Sequence, residues 1–168
     1  MRYRLIVEYD GGPFVGWQRQ PNGMTVQQAI EEAVVAYSGE KVSVFSAGRT
    51  DARVHATGQV AHLDLERGDT PDKVQAALNA HLRPHPVAIV RAEEADPEFH
   101  ARFSAIRRAY LYRILNRRAA PALDAGRVWW LPGKLDVDLM QAGANRLIGT
   151  HDFTSYRAAS CQAKSAVK

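Results

Sequence analysis

The sequence predicts an α+β fold in which short strands and helices alternate along the chain. Some segments alternate apolar and polar residues, others repeat apolar residues every 3.6 positions, and glycines and prolines separate the two kinds. The chain has 168 residues, 46% of them hydrophobic, which is enough to bury a substantial core. We therefore expect a globular protein of one or two domains.

The first strand and the first helix have the clearest patterns. In YRLIVEY, residues 3–9, apolar side chains alternate, and the glycines and proline of DGGPFVG end the strand. Thr25 and Gln28 have the spacing of a helix capping box, and apolar residues then recur with a helical period as far as Gly39. The chain therefore begins with a strand, a loop and a helix.

The following segments continue the alternation. KVSVF (41–45) and QVAHLDLE (59–66) predict two strands, Pro71 opens a second helix, and VAIVRA (87–92) predicts a fourth strand. The order β-α-β-β-α-β is that of the split βαβ arrangement. We therefore expect a ferredoxin-like first domain over residues 1–98.

Residues 99–168 predict a second α+β unit that is incomplete. AYLYRIL and RVWWL have strand character, and Asp136 precedes a helix that runs to Gly149 with apolar side chains on a face expected to point inward. The last eighteen residues, HDFTSYRAASCQAKSAVK, contain one strand candidate at most. We expect either a fragment of a longer chain or a second domain completed by a partner.

Charge is divided unevenly along the chain. Residues 1–98 hold 10 Lys and Arg against 14 Asp and Glu, whereas residues 99–168 hold 12 against 4. No acid occurs between Phe99 and Leu123, a stretch that contains Arg102, Arg107, Arg108, Arg113, Arg117 and Arg118. Arginine binds phosphate in a bidentate way, so this part predicts a nucleic-acid surface; the alternative is a solvated basic face without a partner.

Asp51 stands between Arg49 and Arg53 in SAGRTDARVHATGQVAHLDL, residues 46–65, which joins two strands. A carboxylate held by a guanidinium stays ionised and oriented, as an anionic nucleophile or base must be. The alternative is local electrostatics, in which Asp51 caps its own turn and pairs loosely with an arginine.

Four segments together resemble successive motifs of the tRNA pseudouridine synthase A family, in the family's order and over essentially the whole chain. They are EYDGGPFVGWQRQPNGMTVQQAIEEAV, SAGRTDARVHATGQVAHLDL, FHARFSAIRRAYLYRILN and LIGTHDFTSYRA. The resemblance implies a cofactor-free isomerase that converts uridines in the anticodon stem-loop of tRNA to pseudouridine. It also implies a homodimer.

The resemblance assigns roles to particular residues. The catalytic aspartate falls on Asp51, which acts either as a nucleophile on the ribose or as a base at its C2′ position. Tyr110 matches the tyrosine that stacks on the flipped base, and Arg49 the arginine that orients the aspartate. The alternatives are a core aromatic for Tyr110 and a plain ion pair for Arg49. Candidate RNA contacts are Arg19, Gln20, Arg53, Arg102, Arg107 and Arg108.

Two features depart from the family pattern. Arg53 replaces a glycine, and if that position needs a positive φ, arginine costs about 1–2 kcal/mol there. The family's later motif, with another basic residue near the carboxylate, is absent before Lys168. We therefore expect an inactive N-terminal fragment; the rival interpretation is a non-catalytic RNA-binding module, but the third strand lacks the aromatics that such modules carry.

The remaining features concern compartment and metals. Cys161 is the one cysteine, so neither an internal disulfide nor a thiolate zinc cluster is available. No leader and no apolar run of about 20 residues is present, so we expect a cytoplasmic protein without a membrane span. His55 and His62 fall on opposite strand faces, and His81 and His85 straddle a helix end, so we expect no metal. The resemblance implies that no cofactor is needed.

Overall fold

The computed structural model describes residues 1–157 and 165–167, and the chain divides into two compact units, Met1–Leu111 and Tyr112–Lys168. Residues 99–111 thus fall in the first unit, whereas the expected boundary between the two domains was at residue 98. They return to the sheet, where the backbone N–H of Ala101 donates to His62 Nδ1 at 3.2 Å. Within the described residues no helix has the length and apolar character that crossing a membrane requires.

The first unit is a four-stranded antiparallel sheet with two helices. Its elements are β1 (Arg2–Tyr9), α1 (Val26–Ser38), β2 (Phe45–Ser46), β3 (Ala56–Asp64), α2 (Pro71–His81) and β4 (Val87–Glu94). The strand order is β2-β3-β1-β4, so β3 lies between the two strands that α1 connects. This is the order expected of a split βαβ arrangement, and the α+β class is confirmed.

Helix α1 begins and ends where the sequence predicts. The side chain of Thr25 accepts a hydrogen bond from the backbone N–H of Gln28 at 3.1 Å, which satisfies one of the free donors of the first turn. Gly39 has a φ of 77°, the left-handed conformation that ends many helices, and its N–H donates to Val35.

The core lies between one face of the sheet and the two helices. Every second residue of β1 is buried there, as the alternation predicts, and both helices contribute their apolar stripes. The buried residues include Tyr3, Leu5, Val7, Tyr9, Ile30, Val34, Leu63, Val74 and Leu78.

Strand β2 is shorter than predicted. The sequence suggested a strand over 41–45, but only Phe45 and Ser46 pair with β3. The backbone N–H of Val44 instead donates to the Glu31 carboxylate at 3.1 Å, so a helix side chain takes the donor that a longer ladder would have used.

The second unit contains two short parallel strands and a helix. Strands β5 (Ile114–Asn116) and β6 (Trp129–Leu131) pair, and α3 (Val137–Asn145) follows. The strand predicted in AYLYRIL is therefore limited to its end. A 3₁₀ turn spans Thr154–Tyr156, and Asp152 forms an isolated bridge with Val167.

Helix α3 does not point an apolar face inward as expected. Its start is as predicted, because the Asp136 carboxylate accepts the N–H of Leu139 at 2.9 Å. Within the described residues, however, none of its side chains is buried. The sequence suggested at most one strand in residues 151–168. Residues 158–164 of this stretch, which include Cys161, lie outside the described residues.

Candidate functional site

The connection from β2 to β3 carries Asp51 and is called here the GRTD loop, residues 47–55. Its first residues are held by side chains from outside the loop. The Ala47 carbonyl accepts two hydrogen bonds from the Arg108 guanidinium, at 2.9 and 2.7 Å. The Gly48 carbonyl accepts from Gln59 Nε2 at 2.7 Å. The backbone leading to Asp51 is thus fixed by contacts distant in sequence.

Thr50, immediately before Asp51, is held by both its side chain and its backbone. Its hydroxyl lies 2.8 Å from the hydroxyl of Tyr9, and its carbonyl accepts the N–H of Trp17 at 2.9 Å. Gly16 packs so closely that a Cβ there would stand 2.9 Å from the same carbonyl. Two segments of the N-terminal motif therefore enclose Thr50.

Asp51 opens a tight turn that returns the chain to β3. The N–H of Val54 donates to the Asp51 carbonyl at 3.2 Å, and Arg53 at the third position has a φ of 66°. This is the pattern of a type II turn, whose third position favours glycine. The positive φ considered for Arg53 is therefore present. Gly11 packs against the turn, where a Cβ would stand 2.1 Å from the Val54 carbonyl oxygen.

The Asp51 side chain is exposed. Among the residues that the structure describes, its carboxylate forms no ion pair with Arg49 or Arg53. The loose ion pair between Asp51 and a neighbouring arginine is therefore not observed. Arg49 and Arg53, which belong to the loop themselves, have exposed side chains. The backbone of the loop therefore sets the position from which this carboxylate projects, while its side-chain torsions have no restraining partner among the described residues.

Tyr110 is accessible rather than part of the core. Its side chain is 65% exposed and lies outside the strands. Its hydroxyl lies beside Gly48, 3.8 Å from where a Cβ of that glycine would stand. The alternative of a core aromatic therefore does not hold, and the ring lies next to the GRTD loop.

A sequence profile described as tRNA pseudouridine synthase matches residues 5–104, a range that contains the GRTD loop and nearly all of the sheet. The chain belongs to this family. Membership confirms the resemblance given by the four motifs, and with it the isomerase class.

Individual relatives extend the match over nearly the whole chain. The tRNA pseudouridine synthase A of Rhodospirillum centenum is 64% identical over 167 residues, which cover 99% of this chain and 68% of the relative. That of Parvibaculum lavamentivorans is 56% identical with the same coverage, and that of Paramagnetospirillum magneticum is 59% identical over 65% of its length. The chain thus spans about two thirds of the length of these synthases.

In this synthase chain the candidate RNA contacts differ in exposure and in the hydrogen bonds that their side chains already form. Arg107 is exposed, and the Arg102 guanidinium lies 5.9 Å from the Phe103 ring centre. Arg108 is occupied by the carbonyls of Ala47 and Arg102. We therefore treat Arg108 as an anchor of the loop, while its part in RNA binding stays a prediction.

The two candidates in the first loop also have partners in the fold. Arg19 donates to the Glu31 carboxylate at 3.0 Å, and Gln20 Nε2 donates to the Val15 carbonyl at 2.6 Å. Both side chains remain exposed, and together with Met24 and Gln28 they line a shallow depression.

Sequence reasoning missed the residues that support the loop. Tyr9 reads as an ordinary inward residue of β1, and nothing in the alternation distinguishes its hydroxyl from that of Tyr3. In the sequence, Gly11 and Gly16 indicate only a turn. In the structure, glycine is required at both positions because the backbone of the GRTD loop packs closely against them. Among residues 1–157 and 165–167, no three His, Cys, Asp or Glu side chains could hold a metal ion together.

Proposed function

We propose that Asp51 is the catalytic carboxylate in the isomerisation of uridine to pseudouridine in tRNA. The reaction breaks the bond between N1 of uracil and C1′ of ribose, and it forms a bond between C5 and C1′. The proton on C5 leaves and N1 ends protonated, so atoms balance without an oxidant or a reductant. The observation that carries the proposal is an exposed carboxylate on a loop whose backbone is fixed on both sides.

This arrangement suits an anionic catalyst. A fixed backbone holds the reacting group near its working position, which lowers the entropic cost of reaching the transition state. Among the residues that the structure describes, Asp51 has no side-chain partner that would have to be displaced before a ribose could approach. Either role left open by the sequence, nucleophile on the ribose or base at C2′, uses the same oxygen atoms.

Tyr110 is proposed as the ring that stacks on the flipped base. Removing a base from its stack costs a few kcal/mol, and an aromatic surface beside the catalytic loop offsets part of that cost. The exposed ring of Tyr110 meets this requirement, since its hydroxyl end lies beside Gly48.

Phosphate contacts are proposed for the exposed arginines near the loop, Arg49, Arg53, Arg102 and Arg107. They would position the RNA without reading its sequence. We further propose that the protein works in the cytoplasm as a homodimer on uridines of the anticodon stem-loop, in keeping with the family resemblance.

The test replaces Asp51 by asparagine in the full-length gene product, which keeps the shape of the side chain and removes its charge. We expect pseudouridine formation on unmodified tRNA to be abolished in single-turnover assays, while tRNA affinity stays within a few-fold of wild type. Asp72→Asn is the matched control, because Asp72 is an exposed carboxylate in the same unit at the start of α2. A rate near wild type in Asp51→Asn would remove Asp51 from the mechanism.

A second variant tests the stacking role. Tyr110→Ala is expected to weaken productive binding by about 1–3 kcal/mol, whereas Tyr110→Phe keeps the ring and most of the binding. Equal binding in both variants, or a loss confined to thermal stability, contradicts stacking. If the wild-type protein binds tRNA but forms no pseudouridine, the RNA-binding module is the better description.

A further inference from the structure

A buried phenol reaches the GRTD loop from the far end of β1. Tyr9 is 3% exposed, yet its hydroxyl lies 2.8 Å from the Thr50 hydroxyl, across 41 positions of sequence. Tyr9 is the last residue of β1, so its backbone belongs to the central part of the sheet. The contact therefore links an inner strand of the sheet to the residue before Asp51.

The Tyr9 ring is itself fixed by the segment that holds the other side of Thr50. Its centre lies 5.8 Å from that of Trp17, and the backbone N–H of Trp17 donates to the Thr50 carbonyl at 2.9 Å. Thr50 is thus held by its hydroxyl and by its carbonyl, through two aromatic residues that pack on each other. A displacement of either ring would therefore change the packing of the other ring and its contact with Thr50.

The protonation state of the phenol suits a lasting hydrogen bond. Burial raises the pKa of Tyr9, while its hydrogen bonds with Thr50 and Gln59 act in the opposite direction and the nearby Tyr110 raises it further. The phenol is therefore neutral at physiological pH and can both donate and accept. Gln59, which also holds the Gly48 carbonyl, joins Tyr9 to the first half of the loop.

We propose that Tyr9 is a positioning residue of the synthase: through Thr50, its hydroxyl sets the backbone from which the Asp51 carboxylate projects. The inference rests on the proposed function of Asp51. Because Asp51 has no side-chain partner among the described residues, an error in the Thr50 backbone passes directly to the carboxylate. Small misplacements of a reacting group reduce rates strongly.

The test removes only the hydroxyl, by Tyr9→Phe in the full-length gene product. We expect the single-turnover rate of pseudouridine formation to fall about ten- to hundredfold, with tRNA affinity within about twofold of wild type. Amide exchange of a peptide covering residues 47–55 is expected to become about fivefold faster.

Tyr3→Phe is the matched control. Tyr3 lies on the same strand and face, is fully buried, and its hydroxyl donates to the Asp69 carbonyl at 2.5 Å, away from the GRTD loop. This variant is expected to lose a hydrogen bond of similar kind while keeping the wild-type rate and the wild-type exchange of residues 47–55. The comparison separates a general loss of stability from a loss of positioning.

Substitutions of Thr50 test whether the two hydroxyls act as one contact. Thr50→Val is expected to slow the reaction as Tyr9→Phe does, and the double variant to be no slower than either single variant. Thr50→Ser, which keeps the hydroxyl, is expected to recover most of the rate that Thr50→Val loses. Multiplicative losses in the double variant would show that the residues act independently and would overturn the proposal.

Two further outcomes are decisive. A Tyr9→Phe rate within twofold of wild type, or an exchange rate of residues 47–55 equal to that of Tyr3→Phe, refutes the positioning role. If the wild-type protein forms no pseudouridine, the proposed function fails. The exchange comparison between Tyr9→Phe and Tyr3→Phe still decides whether the phenol holds the loop.

Discussion

Arg53 occupies a backbone conformation that glycine adopts more easily, so replacing it by glycine is expected to stabilise the protein. Its φ is 66°, and it sits at the third position of the turn closed by Val54 N–H and the Asp51 carbonyl. The side chain is exposed, and the backbone N–H of Arg53 donates to the Phe14 carbonyl at 3.4 Å. A glycine keeps that donor.

The size of the gain follows from two opposing terms. A left-handed conformation costs a residue with a Cβ about 1–2 kcal/mol, which glycine avoids. Glycine in turn loses about 0.5–1 kcal/mol more backbone entropy on folding. With the middle value of each range, the net expectation for Arg53→Gly is a stabilisation of about 0.75 kcal/mol.

The assay is urea unfolding of wild type, Arg53→Gly and Arg53→Ala. Alanine removes the same charge as glycine but keeps the Cβ, so it is expected to unfold within about 0.3 kcal/mol of wild type. Both variants are expected to lose the same tRNA affinity and to reduce the slope of affinity against salt by about one, if Arg53 contacts a phosphate. Equal stabilities of the glycine and alanine variants would show that the turn is not strained at this position.

Two further predictions concern the packing of the GRTD loop and of the sheet. Gly11→Ala is expected to destabilise the protein by about 1–3 kcal/mol in urea unfolding and to reduce activity, because its Cβ would stand 2.1 Å from the Val54 carbonyl. Gly12→Ala, whose Cβ would stand 3.0 Å from an Asp10 side-chain oxygen rather than 2.1 Å from a backbone carbonyl, is the control, and equal losses would contradict the close approach. Burial lowers the pKa of His62 below its usual 6.5, with His100 and Arg2 acting in the same direction and Asp64 in the opposite one. The neutral imidazole is favoured in the folded state, so its contribution is present above pH 6.5 and is lost as the pH falls through the lowered value. Thermal unfolding of wild type is expected to lose stability as the pH falls below 6.5, a loss that His62→Asn does not show, and parallel curves would refute this.

The sequence was sufficient for the fold of the first unit because its periodicities are uninterrupted there. Alternation in β1 and the capping residues of α1 report local preferences that the tertiary structure also satisfies. Within that unit, the predicted length of β2 was wrong, because the backbone N–H of Val44 donates to the Glu31 carboxylate instead of to a neighbouring strand. A contact between a helix and a loop leaves no periodic pattern in the sequence. In α3 the helical pattern was right, but a pattern does not state what the apolar face packs against.

The candidate site also contains residues that the sequence predicts and supporting residues that it does not. Asp51 and Tyr110 are assigned through the resemblance of their motifs to the synthase family, whereas the contacts that hold the loop come from residues with ordinary local roles. Arg108 illustrates the difference: its charge suggested phosphate, but its guanidinium binds the Ala47 carbonyl. Such contacts depend on which segments the fold brings together, and no single segment encodes them.

The GRTD loop combines a fixed backbone with an unrestrained carboxylate, and this combination has a consequence for how binding and catalysis are linked. Contacts from Arg108, Gln59, Tyr9 and Trp17 fix the chain before the turn, and the Phe14 carbonyl accepts the N–H of Arg53 within it. Among the described residues, none of these forms a hydrogen bond or an ion pair with the Asp51 side chain. Under the role proposed for Asp51, the last torsions of the carboxylate would be set when a ribose occupies the space in front of it. A substrate that docks without flipping its uridine would then leave the carboxylate undirected, so we expect the rate to depend on completed base flipping rather than on RNA affinity alone.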